Sequence, residues 1–177
     1  MINRILVSIT ETLNEFLGSY YDIPEGGAEV GTIGGDGGEN YMNKVIVSLL
    51  NIERETAMGI SKICRSGTGS TMTQGDPAWN LNLYFVVAAV FDDKRYAESL
   101  KMLSASIGFL QQNSVFPMEG KQSYTIEPVT LSLQELTNVW SIMGGHYYPS
   151  VVCKLRMVTF DSADIRRTVN RVKGVNM

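Results

Sequence analysis

A chain with one histidine and two cysteines among 177 residues has few of the side chains that most often serve as general base, nucleophile or metal ligand. The histidine, His146, stands beside Gly145 and ahead of Tyr147-Tyr148-Pro149. No cysteine or serine motif accompanies it, so it reads as a hydrogen-bonding surface residue. Cys64 and Cys153 lie far apart without metal-ligand spacing and read as reduced, packed thiols. Acidic pairs occur at Asp92-Asp93, placed to cap a helix, and at Glu53 with Glu55 on a strand. Neither pair argues for glycosidase or metal chemistry. The cluster Gly34-Gly35-Asp36-Gly37-Gly38 lacks the lysine and hydroxyl residue of a phosphate loop, and Gly67-Thr68-Gly69-Ser70-Thr71 fails the same test. No enzymatic activity, metal or cofactor is expected.

Charge of one sign is also missing. Fifteen basic and 18 acidic side chains give a net charge of −3, with no basic block to follow a phosphate backbone, which argues against nucleic acid as a partner. No apolar run approaches the roughly 20 residues that span a bilayer. Glu11 and Glu15 interrupt the apolar N-terminal stretch, unlike the core of a signal peptide. A cytoplasmic origin fits. What is present is core: 44% hydrophobic residues suffice for one domain over 1–177 with a sizeable interior.

The apolar residues recur with readable periods. Ile2, Ile5, Leu6, Ile9, Leu13, Phe16 and Leu17 share one helical face, and Gly18 is expected to end that helix. Glu25 to Asn40, rich in glycine, leaves almost nothing to bury and reads as a surface loop. Val45 to Ile52 is a β-branched and apolar run, expected as a strand covered on both faces. A second polar, Gly-rich stretch from Ser66 to Pro77 reads as the tip of a long hairpin whose other arm is the strand Asn80–Phe91. Asp92-Asp93 then caps a helix in which Tyr96, Leu100, Leu103, Ile107 and Leu110 are expected to form one buried stripe. Phe116-Pro117 falls in a loop. Tyr124 to Leu131 is a short strand, and Pro128, which lacks a donor for the ladder, suggests an edge. Ser132 with Glu135 has capping-box spacing and opens a short helix through Trp140 that Gly144-Gly145 stops. Val151 to Phe160 alternates as a last strand, with Cys153, Leu155 and Met157 on one face and Lys154 and Arg156 on the other. The tail, 162–177, places Ile165, Val169 and Val172 at helical spacing and is expected to dock on a neighbouring subunit. The fold class is α+β: a central mixed or antiparallel sheet of about four strands flanked by helices, with long Gly-rich loops at about 23–42 and 65–78.

Taken in order, the N-terminal helix, the run Asn43-Lys44-Val45-Ile46-Val47-Ser48-Leu49-Leu50-Asn51-Ile52-Glu53-Arg54-Glu55, then Asn80-Leu81-Asn82-Leu83-Tyr84, then Tyr96 to Ser104 with Ile107-Gly108-Phe109-Leu110-Gln111, and finally Leu136-Thr137-Asn138-Val139-Trp140, Gly144-Gly145 and Tyr148 to Met157 resemble the tail-terminator or cap protein of extracellular contractile injection systems. That family includes the antifeeding-prophage and virulence-cassette particles. The resemblance covers nearly the whole chain and departs from the family in the Gly-rich stretch Glu25–Asn40.

The resemblance implies a structural part: a ring, hexameric in the family, on the distal end of the inner tube and the sheath, which ends their polymerisation and couples one to the other. Its partners would be further copies of itself, the sheath protein and the tube protein. It would assemble in the bacterial cytoplasm and then belong to the particle, released or held. Sheath subunits of such machines exchange strands, so the strand containing Pro128, or the one from Val151 to Phe160, is a candidate edge for β-augmentation. Lys154, Arg156, Arg166, Arg167 and Arg171 are candidate contacts for acidic groups of a neighbour, against the alternative of a solvated face. Two other readings stay open at this point: a baseplate or tube component of the same machine, and a small-ligand domain built on His146, Tyr147 and Tyr148.

Overall fold

The computed structural model describes residues 1–21, 27–34, 43–55, 64–66, 72–74, 79–117 and 123–160. Helix α1 (Ile2–Tyr21) is followed by strands β1 (Ala28–Val30), β2 (Lys44–Arg54), β3 (Cys64–Ser66), β4 (Met72–Gln74) and β5 (Trp79–Val90). Helix α2 (Tyr96–Gln112), β6 (Val115–Pro117), β7 (Ser123–Pro128), α3 (Leu133–Ile142) and β8 (Ser150–Phe160) complete the order. Six strands form one sheet in the order β1-β2-β5-β8-β7-β6, and β3 with β4 makes a separate two-stranded ladder. Only β1 runs parallel to its neighbour; the other pairs are antiparallel.

The expected α+β class holds, with more strands than the four anticipated. The additional ones are three residues long, too short for an alternation to register. The long hairpin is there: β2 pairs with β5 from Lys44↔Val90 to Arg54↔Leu81. Between its arms in sequence lies the β3–β4 ladder, with β4 inside the stretch Ser66–Pro77 read as an exposed loop and β3 at its start. The two outermost strands are β1 and β6, so neither β7 nor β8 is an edge strand.

Two apolar layers sandwich the sheet. On one face α1 and α2 close over Val45, Val47, Leu83, Phe85, Val87, Ala89, Tyr124, Ile126, Cys153 and Leu155. The expected α1 residues deliver this layer: Ile5, Leu6, Ile9, Leu13 and Leu17 are buried, with Ile2 and Phe16 packed at the margin. Gly18 does not end the helix, which continues to Tyr21. A mid-helix glycine weakens it by only about 1 kcal/mol, less than burying Leu13 and Leu17 contributes. On the other face α3 brings Trp140 onto Ile46, Val86, Ala88, Val90 and Val152, together with Ile33.

Ile33 and Ala28, both buried, correct the reading of Glu25–Asn40 as a segment with nothing to bury. β1 pairs there with β2 as Ala28↔Val45 to Val30↔Val47. Gly34 then turns the chain with φ +100° against the C-terminal end of α3. Strand β2 is covered on both faces only from Val45 to Ser48; from Leu49 it is largely exposed.

Candidate interaction surfaces

The half of the sheet that α3 leaves open is polar. Cross-strand partners share a face, and here Tyr84 pairs with Lys154, while Lys154 in turn pairs with Glu127. The Lys154 ammonium lies 5.3 Å from the Tyr84 ring centroid. Arg156 reaches Glu55 at 3.8 Å and Glu127 at 3.5 Å, and the Asn82 amide donates to Glu55 at 2.9 Å. The two carboxylates flank a guanidinium whose side chain stays 42% exposed, so each ion pair contributes at most about 1 kcal/mol. Lys154 and Arg156 thus share the face the alternation assigned them, but Arg156 is engaged within its own chain by acids from two distant segments. Arg166, Arg167 and Arg171 lie outside the described residues.

Pro128 has an edge character without an edge strand. The Ile126 N–H donates to the Ser114 carbonyl at 2.8 Å, on the β6 side. Two residues on, the missing donor of Pro128 faces the same way, past the end of the β6 ladder at Val115↔Thr125. At the other margin, Asn14 of α1 closes the outer side of β1. Its side-chain oxygen accepts from the Ala28 N–H at 2.6 Å and its amide donates to the Ala28 carbonyl at 2.8 Å. The pair mimics a strand partner at an otherwise open edge. Sequence reasoning had no signal for it, since a polar residue on a helix looks solvated.

The α2 helix reverses the expectation drawn from its periodicity. Its buried side is Ser99, Met102, Ala105, Ser106, Phe109 and Leu110. Of the stripe expected inside, Leu110 is buried and Leu103 packs at the margin, but Tyr96, Leu100 and Ile107 are 54%, 42% and 45% exposed. Asp92 caps the 3-10 turn Asp93–Arg95 by accepting from the Lys94 N–H, and α2 itself begins without a side-chain cap. On the opposite face of the sheet α3 has its capping box, with Ser132 and Glu135 bonded reciprocally; those bonds hold the Glu135 carboxyl below its ordinary range. Leu133 and Ile142 of α3 are 83% and 87% exposed.

The His146 segment is packing. Tyr147 and Tyr148 set their rings edge-on to Trp140 at 5.7 and 5.8 Å, and His146 lies 4.5 Å from Tyr148. Burial, and then Asp93, push the Tyr148 hydroxyl up from its ordinary value. Cys153 is buried in the α1–α2 layer, its thiol pushed up to about 12 by desolvation. Among the described residues no group of three or more His, Cys, Asp or Glu side chains is arranged to hold a metal ion, and no helix is long and apolar enough to cross a membrane.

Comparison with known proteins gives one family and two informative structures. The family model of the Pvc16 N-terminal domain matches residues 8–173. The PVC sheath/tube terminator, from an extracellular contractile injection system in its extended state, superposes with a TM-score of 0.58 at 12% identity, covering 97% of this chain and 62% of that one. The tube terminating cap of the anti-feeding prophage gives 0.57 at 16% identity, over 97% of this chain and 60% of that one. The chain therefore spans about three fifths of the length of these structures, and at such identities the likeness is one of fold. No curated protein matches by sequence.

Proposed function

From the premise that this chain belongs to the Pvc16 N-terminal domain family, we propose that it is a structural cap of a contractile injection system. Copies close into a ring, six in number, on the end of the inner tube and the sheath. The ring ends the growth of both polymers and couples the last sheath layer to the last tube layer. The observation that carries this reading is the shared fold along 97% of the chain with two terminators of such machines. The protein acts by shape and runs no reaction. It assembles in the bacterial cytoplasm and becomes part of the particle.

Ring closure needs a heterologous contact, with two different surfaces on every copy. The outer sides of α2 and α3 suit that requirement, because they lie on opposite faces of one sheet and each presents large apolar side chains to solvent. The charged lattice around Arg156 and the Asn14-capped outer side of β1 are polar surfaces suited to touching a polymer end.

Deletion of the gene followed by electron microscopy of particles tests the reading. Absent, unstable or irregularly long tails are expected, and gold label on a tagged copy should sit at the end away from the baseplate. Tails of normal length, or label at the baseplate, would refute it in favour of another ring component.

A further inference from the structure

The two helical layers are held on the sheet unequally. Against one face α1 buries its Ile and Leu side chains from Ile5 to Leu17, and α2 adds Met102, Phe109 and Leu110. On the other face α3 buries Trp140 alone among its described residues. Leu136 and Met143 pack only at the margin of that cluster, and Leu133 and Ile142 point away from it into solvent. The indole N–H of Trp140 is buried as well and has no acceptor among the described residues, so contact with solvent would satisfy a group that docking leaves unsatisfied.

Hydrogen bonding separates α3 from the sheet in the same way. Where the chain leaves β7, the Val129 N–H donates to the Val152 carbonyl at 2.8 Å, and where it enters β8 the Pro149 carbonyl accepts from the Ala89 N–H at 2.9 Å. Between those ties, among the described residues, no hydrogen bond runs from 130–148 to the rest of the chain. The polar groups of this block bond within it: Ser132 and Glu135 cap the helix reciprocally, the Thr137 and Ser141 hydroxyls donate one turn back, and the Gly145 N–H donates to the Trp140 carbonyl at 2.8 Å. Gly144 and Gly145, with φ +103° and +80°, turn the chain at one end, and Thr130-Leu131 link it to β7 at the other. A body bonded to itself leaves the sheet without orphaning a backbone group, and the ladders of β5, β7 and β8 stay whole.

We propose that α3 is a hinged cover: residues 130–148 lift from the sheet as one body while the strands and the α1–α2 layer stay folded. Lifting bares Ile46, Val86, Ala88 and Val152. Because Val86↔Val152 lies one step of the alternation from Tyr84↔Lys154, the bared strip is continuous with the polar lattice, and the whole of that sheet face becomes open. Native folds open first where the fewest apolar side chains are buried, which here is α3. Once off the sheet, a helix of 10 residues is too short to persist in water, so each opening exposes its amides to exchange. The device belongs to the free chain and does not rest on the cap reading.

Two measurements on the full chain test it. In native-state hydrogen exchange the amides from Leu136 to Met143 should exchange together, at least a hundredfold faster than those in the middle of β5. Thiol labelling then separates lifting of the cover from fraying of the helix in place. In a Cys64→Ser background Cys153, under α1 and α2, is the reference; Val86→Cys, made together with Cys153→Ala, puts the thiol under α3 instead. The Val86→Cys chain should react with an aromatic disulfide reagent at least a hundredfold faster than the reference. Its rate should also rise with urea less than half as steeply, because lifting α3 exposes less surface than unfolding. Should that variant not fold, Val152→Cys tests the same layer from the neighbouring strand. Protection of α3 equal to that of β5, or fast exchange of α3 with equal labelling rates for the two thiols, would overturn the proposal.

Discussion

Replacing Gly34 with alanine isolates the contact that ties the segment after β1 to the far helix. A Cβ built at Gly34 would lie 2.1 Å from the carbonyl oxygen of Met143, 2.8 Å from its carbonyl carbon and 3.2 Å from the Gly144 Cα. These are backbone atoms at the end of α3, so no side-chain rotation relieves the overlap. The position also has φ +100°, which an L side chain adopts at a penalty of about 1–2 kcal/mol. Relief requires the loop to lift, and lifting it draws Ile33 out of its cluster with Trp140 and Val152, a further loss of about 1.5–3 kcal/mol. The expected destabilisation of Gly34→Ala is therefore about 2.5–5 kcal/mol, or roughly 1–2.5 M in the urea midpoint at an unchanged slope of about 2 kcal/mol/M.

Two other glycines are the controls. Gly145 has φ +80° but open space around a built Cβ, so Gly145→Ala should show the backbone penalty alone, about 1 kcal/mol. Gly108, in α2 with nothing near it, should accept alanine with a gain of about 0.5–1 kcal/mol. Urea unfolding of the three variants checks the order. A Gly34→Ala stability within about 0.5 kcal/mol of the parent, or equal to that of Gly145→Ala, would refute the close approach of the loop to α3.

Asn14→Ala should uncover the Ala28 N–H and carbonyl, lowering stability by about 1–3 kcal/mol and speeding amide exchange at Ala28 above that of the neighbouring β2 amides. For Cys153 the folded value is raised to about 12 from an ordinary value near 9. The unfolded chain therefore releases this proton first as the pH rises, so the associated stability is intact below pH 9 and is lost progressively between 9 and 12; urea midpoints of the parent should fall across that window more than those of Cys153→Ala. In a Cys64→Ser background the native thiol should also resist alkylation at pH 8 and react only after unfolding. Leu100→Glu with Ile107→Glu, on the exposed side of α2, should lower stability by less than about 1 kcal/mol while reducing incorporation into particles, scored as labelled tail ends in micrographs; full incorporation would remove α2 from the ring contact.

The parts of this fold that were legible are those in which one chain buries its own pattern. β2, β5 and β8 carry long apolar or alternating runs because each sits between two strands of the sheet, and α1 shows a clear stripe because one side of it lies on that sheet. Ser132 with Glu135, and Gly144-Gly145 with φ of +103° and +80°, were readable since caps and left-handed turns are local chemistry. The outer strands β1 and β6 were not, because at three residues each they are too short for an alternation to register. At the surfaces the limit was distance along the chain. Alternation placed Lys154 and Arg156 on one face, but nothing near them announced Glu55, 101 residues earlier (156 − 55), or that an asparagine would clamp β1. The structural role came from the ordered resemblance to a family, and composition contributed only what it excludes.

The reversal of α2 has a physical cause that bears on the proposed ring. Ser99 and Ser106 can face the sheet because each hydroxyl donates within the helix, to the Tyr96 carbonyl at 2.7 Å and the Met102 carbonyl at 2.8 Å, so no polar group is left unsatisfied. With Ala105 they let the helix lie close to β5 and β8, and the larger Tyr96, Leu100 and Ile107 are turned outward. A helix apolar on both sides belongs between two layers, and a single copy supplies one. Removing the exposed parts of those three side chains from water is worth about 2–4 kcal/mol, which by itself corresponds to a dissociation constant of about mM or weaker. The α2 stripe alone is therefore too weak to hold two copies together in dilute solution. A closed ring must add a second surface, such as the α3 side with Leu133 and Ile142, or the polymer end on which it forms.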